Sequence, residues 1–420
     1  MKIQRLRGMH DLYGADALKF ERMERVARGV FARFGFEELR TPLLEDKELF
    51  SRALGTDTDV VQKEMYEFTD RSKVRVAMRP EGTAGVVRAY LENEFDKREG
   101  LSKFYYMGAM FRSERPQAGR LRQFHQIGVE QLGIDSPYAD AETIHALTVF
   151  LDEIGASGYK VKLNNLGTFE ERKEYRTELA GYFTRHKDKL CEDCLERLER
   201  NVFRLLDCKV QSCREVAKDS PPIKNYLMPA SRTHYDKVRK GLQDLGVAHT
   251  EDPFMVRGLD YYTLTVFELT HPKLGAQDAV AAGGRYDSLI AAFGGPPSGA
   301  VGFALGMERL AMCMEAPQVS DVSENSVFIV TLGEEAFTAG FKLMSQLRAS
   351  GVCASMDLSS KSMKSQMRLA DRTQSAFSII LGENELNSGR WVLKNMKVGS
   401  QETIDGADCV SLLQKRLGKR

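Results

Sequence analysis

The chain has 420 residues, 42% hydrophobic and 28% charged, a size and composition that imply a soluble protein of two or three domains. No apolar run is long enough to span a bilayer, and the basic N-terminus, MKIQRLRGMHDLYG, lacks the apolar stretch of a secretory signal. A formal net charge of +1 excludes nucleic-acid binding by bulk charge, so any RNA must meet local basic patches such as Lys361 to Arg368 or the tail QKRLGKR. Such runs also serve as plain solvated faces. Seven cysteines, an odd number without a secreted framework, favour a reducing compartment.

In chain order, residues 17–34 carry Leu18, Met23, Val26, Val30, Phe31 and Phe34 at helical steps, and Gly35 stops the helix. FEELRTPLLEDKELF follows as a short strand broken by Pro42. KVRVAM is a strand that turns through RPEGTAG (Arg79 to Gly85) into the helix GVVRAYLE. Thr83 suits the capping position there, which is the reading the residues alone favour; Glu81 with Thr83 could also hold an ammonium group.

Phe104 to Gly133, FYYMGAMFRSERPQAGRLRQFHQIGVEQLG, reads as two strands joined by an Arg-, Pro- and Gly-rich loop. Alternation puts Phe124, Gln126, Gly128 and Glu130 on one face and His125, Ile127 and Val129 on the other. The first face is either the floor of a small-molecule site or half of an ordinary exposed sheet with a cationic turn. Arg112, Arg115, Arg120 and Arg122 beside it suit polyphosphate.

Residues 141–155 form a helix and YKVKLNNLG a strand. From Thr168 to Asp252 charged helical runs dominate, which reads as a helical insertion. Strands return over Phe254 to Leu269 and Ala279 to Tyr286, and a helix is expected from Gly302 to Glu315. Residues 316–326 are a polar linker. Beyond it, SVFIVTLG, VCASMDL and FSIILGENE alternate with helices, one of them the basic SKSMKSQMRLADRT, which implies a mainly parallel sheet.

Phe111-Arg112-x-Glu114, a loop and then Phe124 resemble motif 2 of the class II aminoacyl-tRNA synthetases. The continuation RQFHQIGVEQLG, with RGLDYYT (Arg257 to Thr263) and AAGGRYDSLI (Ala281 to Ile290), is similar to the histidyl-tRNA synthetase family in particular. FEELRTPLLEDKELF resembles the motif 1 interface strand, and VGFALGMERL (Val301 to Leu310) resembles motif 3. GTDTDVVQKEMYEFTDR, residues 55–71, is similar to the mobile segment beside the histidine pocket. The resemblance implies an α+β catalytic domain with an antiparallel sheet flanked by helices (1–167 and 253–318), a helical insertion (168–252) and a C-terminal α/β anticodon-binding domain (326–420).

It further implies joining of histidine to ATP, giving histidyl-adenylate and pyrophosphate, then transfer to the 3′ end of tRNA(His). Arg112 and Arg257 would stabilise the reacting α-phosphate. Glu81, Thr83, Gln126, Glu130, Tyr261 and Tyr262 would bind histidine; a carboxylate and a phenol suit imidazole's ring nitrogens. Arg112, Glu114, Arg120, Phe124 and Arg309 would bind ATP, with Phe124 on the adenine face and Arg309 at the γ-phosphate. Arg115 and Gln117 would approach the tRNA acceptor end. Gly283 and Gly284 belong to the pocket wall, with Arg285, Tyr286 and Asp287 as support.

ATP would be a substrate, with Mg²⁺, and the enzyme a cytoplasmic homodimer without membrane contact. Cys191, Cys194, Cys208 and Cys213 have spacings that could hold zinc, but the family resemblance implies no need of it. The alternative is a histidine-sensing regulatory subunit of ATP phosphoribosyltransferase. Such paralogues usually lack the C-terminal domain and lose parts of the nucleotide and arginine motifs, whereas this chain keeps Arg112, Arg257 and Arg309.

Overall fold

The computed structural model describes residues 3–55, 58–97, 101–275, 278–315, 325–359 and 361–417. The chain divides into two units, Met1–Glu315 and Ala316–Arg420. Most of the expected linker (316–324), the end of the basic tail (418–420) and positions 56–57 of the segment 55–71 lie outside the described residues.

The strands of the first unit are β1 (Glu37–Glu38), β2 (Leu44–Asp46), β3 (Glu67–Thr69), β4 (Arg75–Met78), β5 (Ser102–Phe111), β6 (Gln123–Leu132), β7 (Lys160–Asn165), β8 (His249–Glu251), β9 (Thr263–Thr270), β10 (Ala279–Arg285) and β11 (Ala300–Gly306). Eight of them make one sheet in the order β1-β5-β6-β11-β10-β9-β7-β8, while β2, β4 and β3 make a small sheet of their own. In the large sheet β1 pairs with β5, and β7 with β8, in parallel. The remaining pairs are antiparallel.

Strand alternation divides the large sheet between two cores. Ile127 and Val129 of β6 join one core with Phe20, Met23 and Phe31 of the helix Gly14–Arg33 and Phe150 of the helix Pro137–Ile154. The first helix buries Phe20, Met23, Ala27, Val30 and Phe31, a single stripe at three- and four-residue steps. It ends just before Gly35, whose φ of 78° only glycine adopts cheaply. The second helix is capped by Ser136 and stopped by Gly155 in the left-handed region. Tyr106, Met110 and Leu132 face the other core with Tyr261, Tyr262 and Tyr286, and that side carries the cleft.

Three expectations are corrected. The strand expected from Phe254 begins only at Thr263, and the preceding residues form an irregular wall. The helix expected from Gly302 begins at Met307; Gly302 and Gly306 are strand residues of β11, paired with Glu130 and Gln126 of β6. The stretch 168–252 is not one body. Tyr175, Leu179, Phe183 and Leu227 pack into a core of their own. The helix Pro229–Asp244 instead sends Val238 and Leu242 into the main core, and β8 completes the main sheet.

In the second unit β12 (Ser326–Thr331), β13 (Cys353–Met356), β14 (Phe377–Leu381), β15 (Arg390–Asn395) and β16 (Gln401–Asp405) lie in the order β13-β12-β14-β15-β16. The first three are parallel, as βαβ connections require; the last two are antiparallel additions. Leu343, Leu347 and Leu413 cover one face and Ala370 the other. The basic helix Met363–Arg372 is anchored by Gln366, which accepts from Thr331 N (3.0 Å) and donates to Thr331 O (2.8 Å). Among the described residues no helix is long and apolar enough to cross a membrane.

Candidate active site

A cleft of about 1320 Å³ opens over β6, β9, β10 and β11. That exceeds the size of a pocket for one small molecule, and its lining changes character from end to end.

One end is a buried polar cradle. Glu130 stands on β6, fully buried, where Oε1 accepts from Thr83 Oγ1 at 2.7 Å and Oε2 accepts from the Tyr286 hydroxyl. Burial pushes its carboxyl up to about 8, against the pull of those two hydroxyl donors. Glu81, also buried, accepts from the backbone N–H of Thr83 (2.7 Å) and of Ala84 (2.9 Å). Glu81, rather than Thr83, therefore caps the helix Thr83–Glu92, and the Thr83 hydroxyl is left for Glu130. Burial raises the Glu81 carboxyl as well. Tyr261 packs against Tyr286 (centroids 5.5 Å apart) and Tyr262 (4.6 Å). Gln126 is half-buried and its Oε1 has no partner among the described residues, so a ligand donor is its natural complement.

Two glycines make room for this cradle. Tyr106 pairs with Gly128 across β5 and β6, and a Cβ at Gly128 would collide with the Tyr106 ring. A Cβ at Gly302 would collide with Glu130 Oε2 and the Val129 carbonyl. Gly302 thus serves the pocket, not the helix packing that its spacing from Gly306 suggests. Arg285 is fully buried away from the cleft, paired with Asp140 (2.6 Å) and bonded to the carbonyls of Ile134 and Ser136. It holds Asp287, whose carboxylate binds Ala300 N at the start of β11.

The other end is cationic. Arg112 donates from Nε to Pro80 O (2.9 Å) and lies 5.3 Å from the Phe124 ring centroid. Arg120 pairs with Glu114 at 3.3 Å. Arg309 reaches Gly119 O (3.0 Å) and Ala279 O (2.8 Å), tying the motif 2 loop to β10. Burial, then the Arg120 charge, lowers its guanidinium from the usual range. Arg257 bridges the two ends: Nη1 meets Glu268 at 2.8 Å and Cζ lies 5.8 Å from the Tyr262 ring. Its Nε is buried without a partner among the described residues.

The expected residues Glu81, Thr83, Arg112, Glu114, Arg120, Phe124, Gln126, Glu130, Arg257, Tyr261, Tyr262 and Arg309 all line this one cleft. Arg115 and Gln117 do not; both are exposed on the loop, whose tip is closed by paired backbone bonds between Gln117 and Arg120. Sequence reasoning left out Glu268 and Glu308 and undervalued Tyr286. Glu268 was detectable as the one carboxylate in the apolar strand TLTVFELT. Glu308 clamps His125 from the far side, accepting from its backbone N–H at 3.0 Å and touching Nδ1 at 2.9 Å. That fixes the strand bearing Gln126 and the helix bearing Arg309. Arg197, Arg200 and Arg204 of the helical module also line the cleft.

The cleft gathers its arginines from the loop, helix and irregular chain beside an antiparallel sheet, in place of the Gly-rich loop of parallel-sheet nucleotide folds. This is how a class II aminoacyl-tRNA synthetase is built. A histidyl-tRNA synthetase family model matches residues 8–310, and an anticodon-binding domain model matches residues 326–416. The histidine–tRNA ligase of Syntrophotalea carbinolica is 44% identical, and that of Thermotoga maritima 42%, each covering 100% of both chains. The crystal structure of apo S. aureus histidyl-tRNA synthetase matches with a TM-score of 0.82 at 33% identity, covering 98% of this chain and 100% of that one. The chain belongs to the histidyl-tRNA synthetase family.

Proposed function

We propose that the cradle binds L-histidine and the cationic end binds ATP, so that the two react where Arg112 and Arg257 approach one another's ends of the cleft. The activity is that of a histidine–tRNA ligase, and full-length relatedness to such ligases favours it over a histidine-sensing regulator. The observation that carries the reading is a buried cradle whose polar groups match histidine. Glu81, Thr83 and Gln126 take the α-ammonium group. Glu130, held by Thr83 and Tyr286, meets the imidazole with Tyr261 and Tyr262. A carboxyl group and two phenols placed this way favour a side chain that offers ring nitrogens.

The histidine carboxylate attacks the α-phosphorus, and the bond to the bridging oxygen breaks, its electron pair leaving with pyrophosphate. Arg112 and Arg257 neutralise charge on the α-phosphate as it develops, and the enzyme contributes position and electrostatics rather than a covalent nucleophile. Phe124 offers its face to adenine, and Arg120 and Arg309 take the outer phosphates. Glu114 and Glu268 are hard oxygen donors in the same cleft, the type that holds Mg²⁺ together with nucleotide phosphates; bound there it would offset phosphate charge. In the second step a terminal ribose hydroxyl of the tRNA attacks the histidyl carbonyl carbon and AMP leaves.

Arg115 and Gln117, exposed beside the cleft, would meet the acceptor end. Lys361, Lys364 and Arg368, exposed on and before the basic helix of the second unit, suit RNA phosphates. A homodimer fits the small sheet, where Leu43, Leu44, Phe68 and Val74 are each more than two-fifths exposed. The role places the enzyme in the cytoplasm. ATP–pyrophosphate exchange tests the reading with each standard amino acid in turn. Exchange with histidine alone is expected; histidine binding without exchange would favour the regulator.

A further inference from the structure

The helical module between β7 and β8 has its own small core around Tyr175, Leu179 and Phe183, and Cys194, Cys208 and Cys213 are buried in it. With Cys191 they bring four Sγ atoms to within 4.8 Å of one another. None is in a disulfide, and the Cys191 and Cys208 sulfurs are 3.9 Å apart. Four thiolates about 2.3 Å from a tetrahedral zinc lie roughly 3.8 Å from one another. The cluster therefore needs to contract by roughly 1 Å or less to close on such an ion.

One backbone donor already meets the cluster: the Cys191 N–H donates to Cys213 Sγ at 3.2 Å. A thiolate accepts such a bond better than a neutral thiol, so this contact suits sulfur bound to a cation. Cys191 directly precedes the helix Glu192–Arg200, which carries Cys194, and Cys213 lies in the helix Gln211–Lys218. The chain between them doubles back to bring Cys208 beside Cys191. Such a fold-back in a small core is the setting in which a metal contributes directly to folding.

From this convergence we propose that the module binds one structural zinc ion through Cys191, Cys194, Cys208 and Cys213. This reverses the expectation drawn from the family resemblance. Soft thiolates select zinc over the hard cations that accompany ATP. Four protein ligands leave no open position, so the ion is structural and takes no part in adenylation. Binding exchanges up to four S–H protons, released to solvent, for four S–Zn bonds. The resulting charge of −2 is met in part by the Cys191 N–H at Cys213 Sγ. Because Asp207, Cys208 and Lys209 line the cleft, the ion would also fix the wall opposite the large sheet.

Metal analysis of the full-length protein, purified without chelator, tests this directly. One zinc per chain is expected. After chelation and reconstitution with Co²⁺, intense charge-transfer and tetrahedral d–d absorption should appear at one equivalent. Cys208→Ser should lower the zinc content from one to near zero, and the Co²⁺ titration of the unsubstituted chain decides the matter should that variant misfold. Uptake of neither ion by a folded protein would overturn the proposal. So would disulfides among these cysteines in protein kept under reducing conditions, or iron in place of zinc.

Discussion

The two ends of the cleft are held in opposite ways. At the end proposed for histidine Glu81, Thr83, Glu130 and Tyr286 are buried beside strands and a helix start, and they bond to one another. At the end proposed for the nucleotide the arginines sit on a loop, on a helix or in irregular chain, partly exposed and paired with carboxylates such as Glu114 and Glu268. The first arrangement is pre-organised for a fixed shape, which is what selectivity needs. The second suits the proposed triphosphate, which must bind, react and leave, and whose phosphates would take the place of those carboxylates. Chemistry should thus be most sensitive where the ends meet, stability most sensitive in the cradle, and the outer loop sensitive to neither.

Arg257→Ala tests the meeting point and should have the largest effect. Loss of a donor that acts on developing charge costs about 10²- to 10³-fold in rate. Histidine-dependent pyrophosphate exchange should fall by that factor in kcat, with thermal stability changed little. An unchanged kcat with a raised KM would move Arg257 to ground-state binding.

Glu130→Gln tests the cradle through pH. The folded carboxyl titrates near 8 and the ordinary glutamate value is 4.5. Between these the folded state keeps a proton that the unfolded chain has released. Stability of the ligand-free enzyme should then be fully present below about pH 4.5 and fall as pH rises toward 8, by on the order of a few kcal/mol. The variant should flatten much of that slope in a series of melting curves. Glu81, Glu64 and Asp287, also raised by burial, leave a remainder. A variant with the parent's full slope would show that Glu130 is ionised in the folded state.

Gly302→Ala asks how tightly the cradle is packed. Overpacking of this kind costs about 1–3 kcal/mol, and Glu130 must move to admit the methyl group. Denaturation should register that loss, and KM for histidine should rise more than KM for ATP. Equal rises would mean that β11 shifts as a whole.

Those same residues show what the sequence discloses. Period-two alternation separated Phe124, Gln126 and Glu130 from Ile127 and Val129 because one face of β6 meets the cleft and the other an apolar core, and a one-residue slip would exchange them. The partners of Glu130 were hidden, since Thr83 and Tyr286 reach it from 47 and 156 positions away. The helix expected from Gly302 took in strand residues, because the pairing of Gly302 with Glu130 depends on cross-strand register. β8 escaped notice because His-Thr-Glu has no apolar alternation and is a strand only through its pairing with β7. The cysteine spacing was visible, but the approach of Cys208 to Cys191 is a property of the fold.

Arg120→Ala should have the smallest effect and sets the limit of the comparison. Its side chain is 43% exposed and its pair with Glu114 spans 3.3 Å, a setting in which an ion pair contributes about 0–1 kcal/mol. Removing it should leave the melting temperature unchanged and raise KM for ATP a few-fold at low salt, roughly the scale of one exposed charge contact. Added salt should shrink the difference, because screening weakens exposed contacts more than buried ones. A loss as large as that of Arg257→Ala, insensitive to salt, would mean that the loop closes over ATP and buries Arg120 in the working enzyme. The nucleotide end would then be pre-organised by its substrate rather than by the fold.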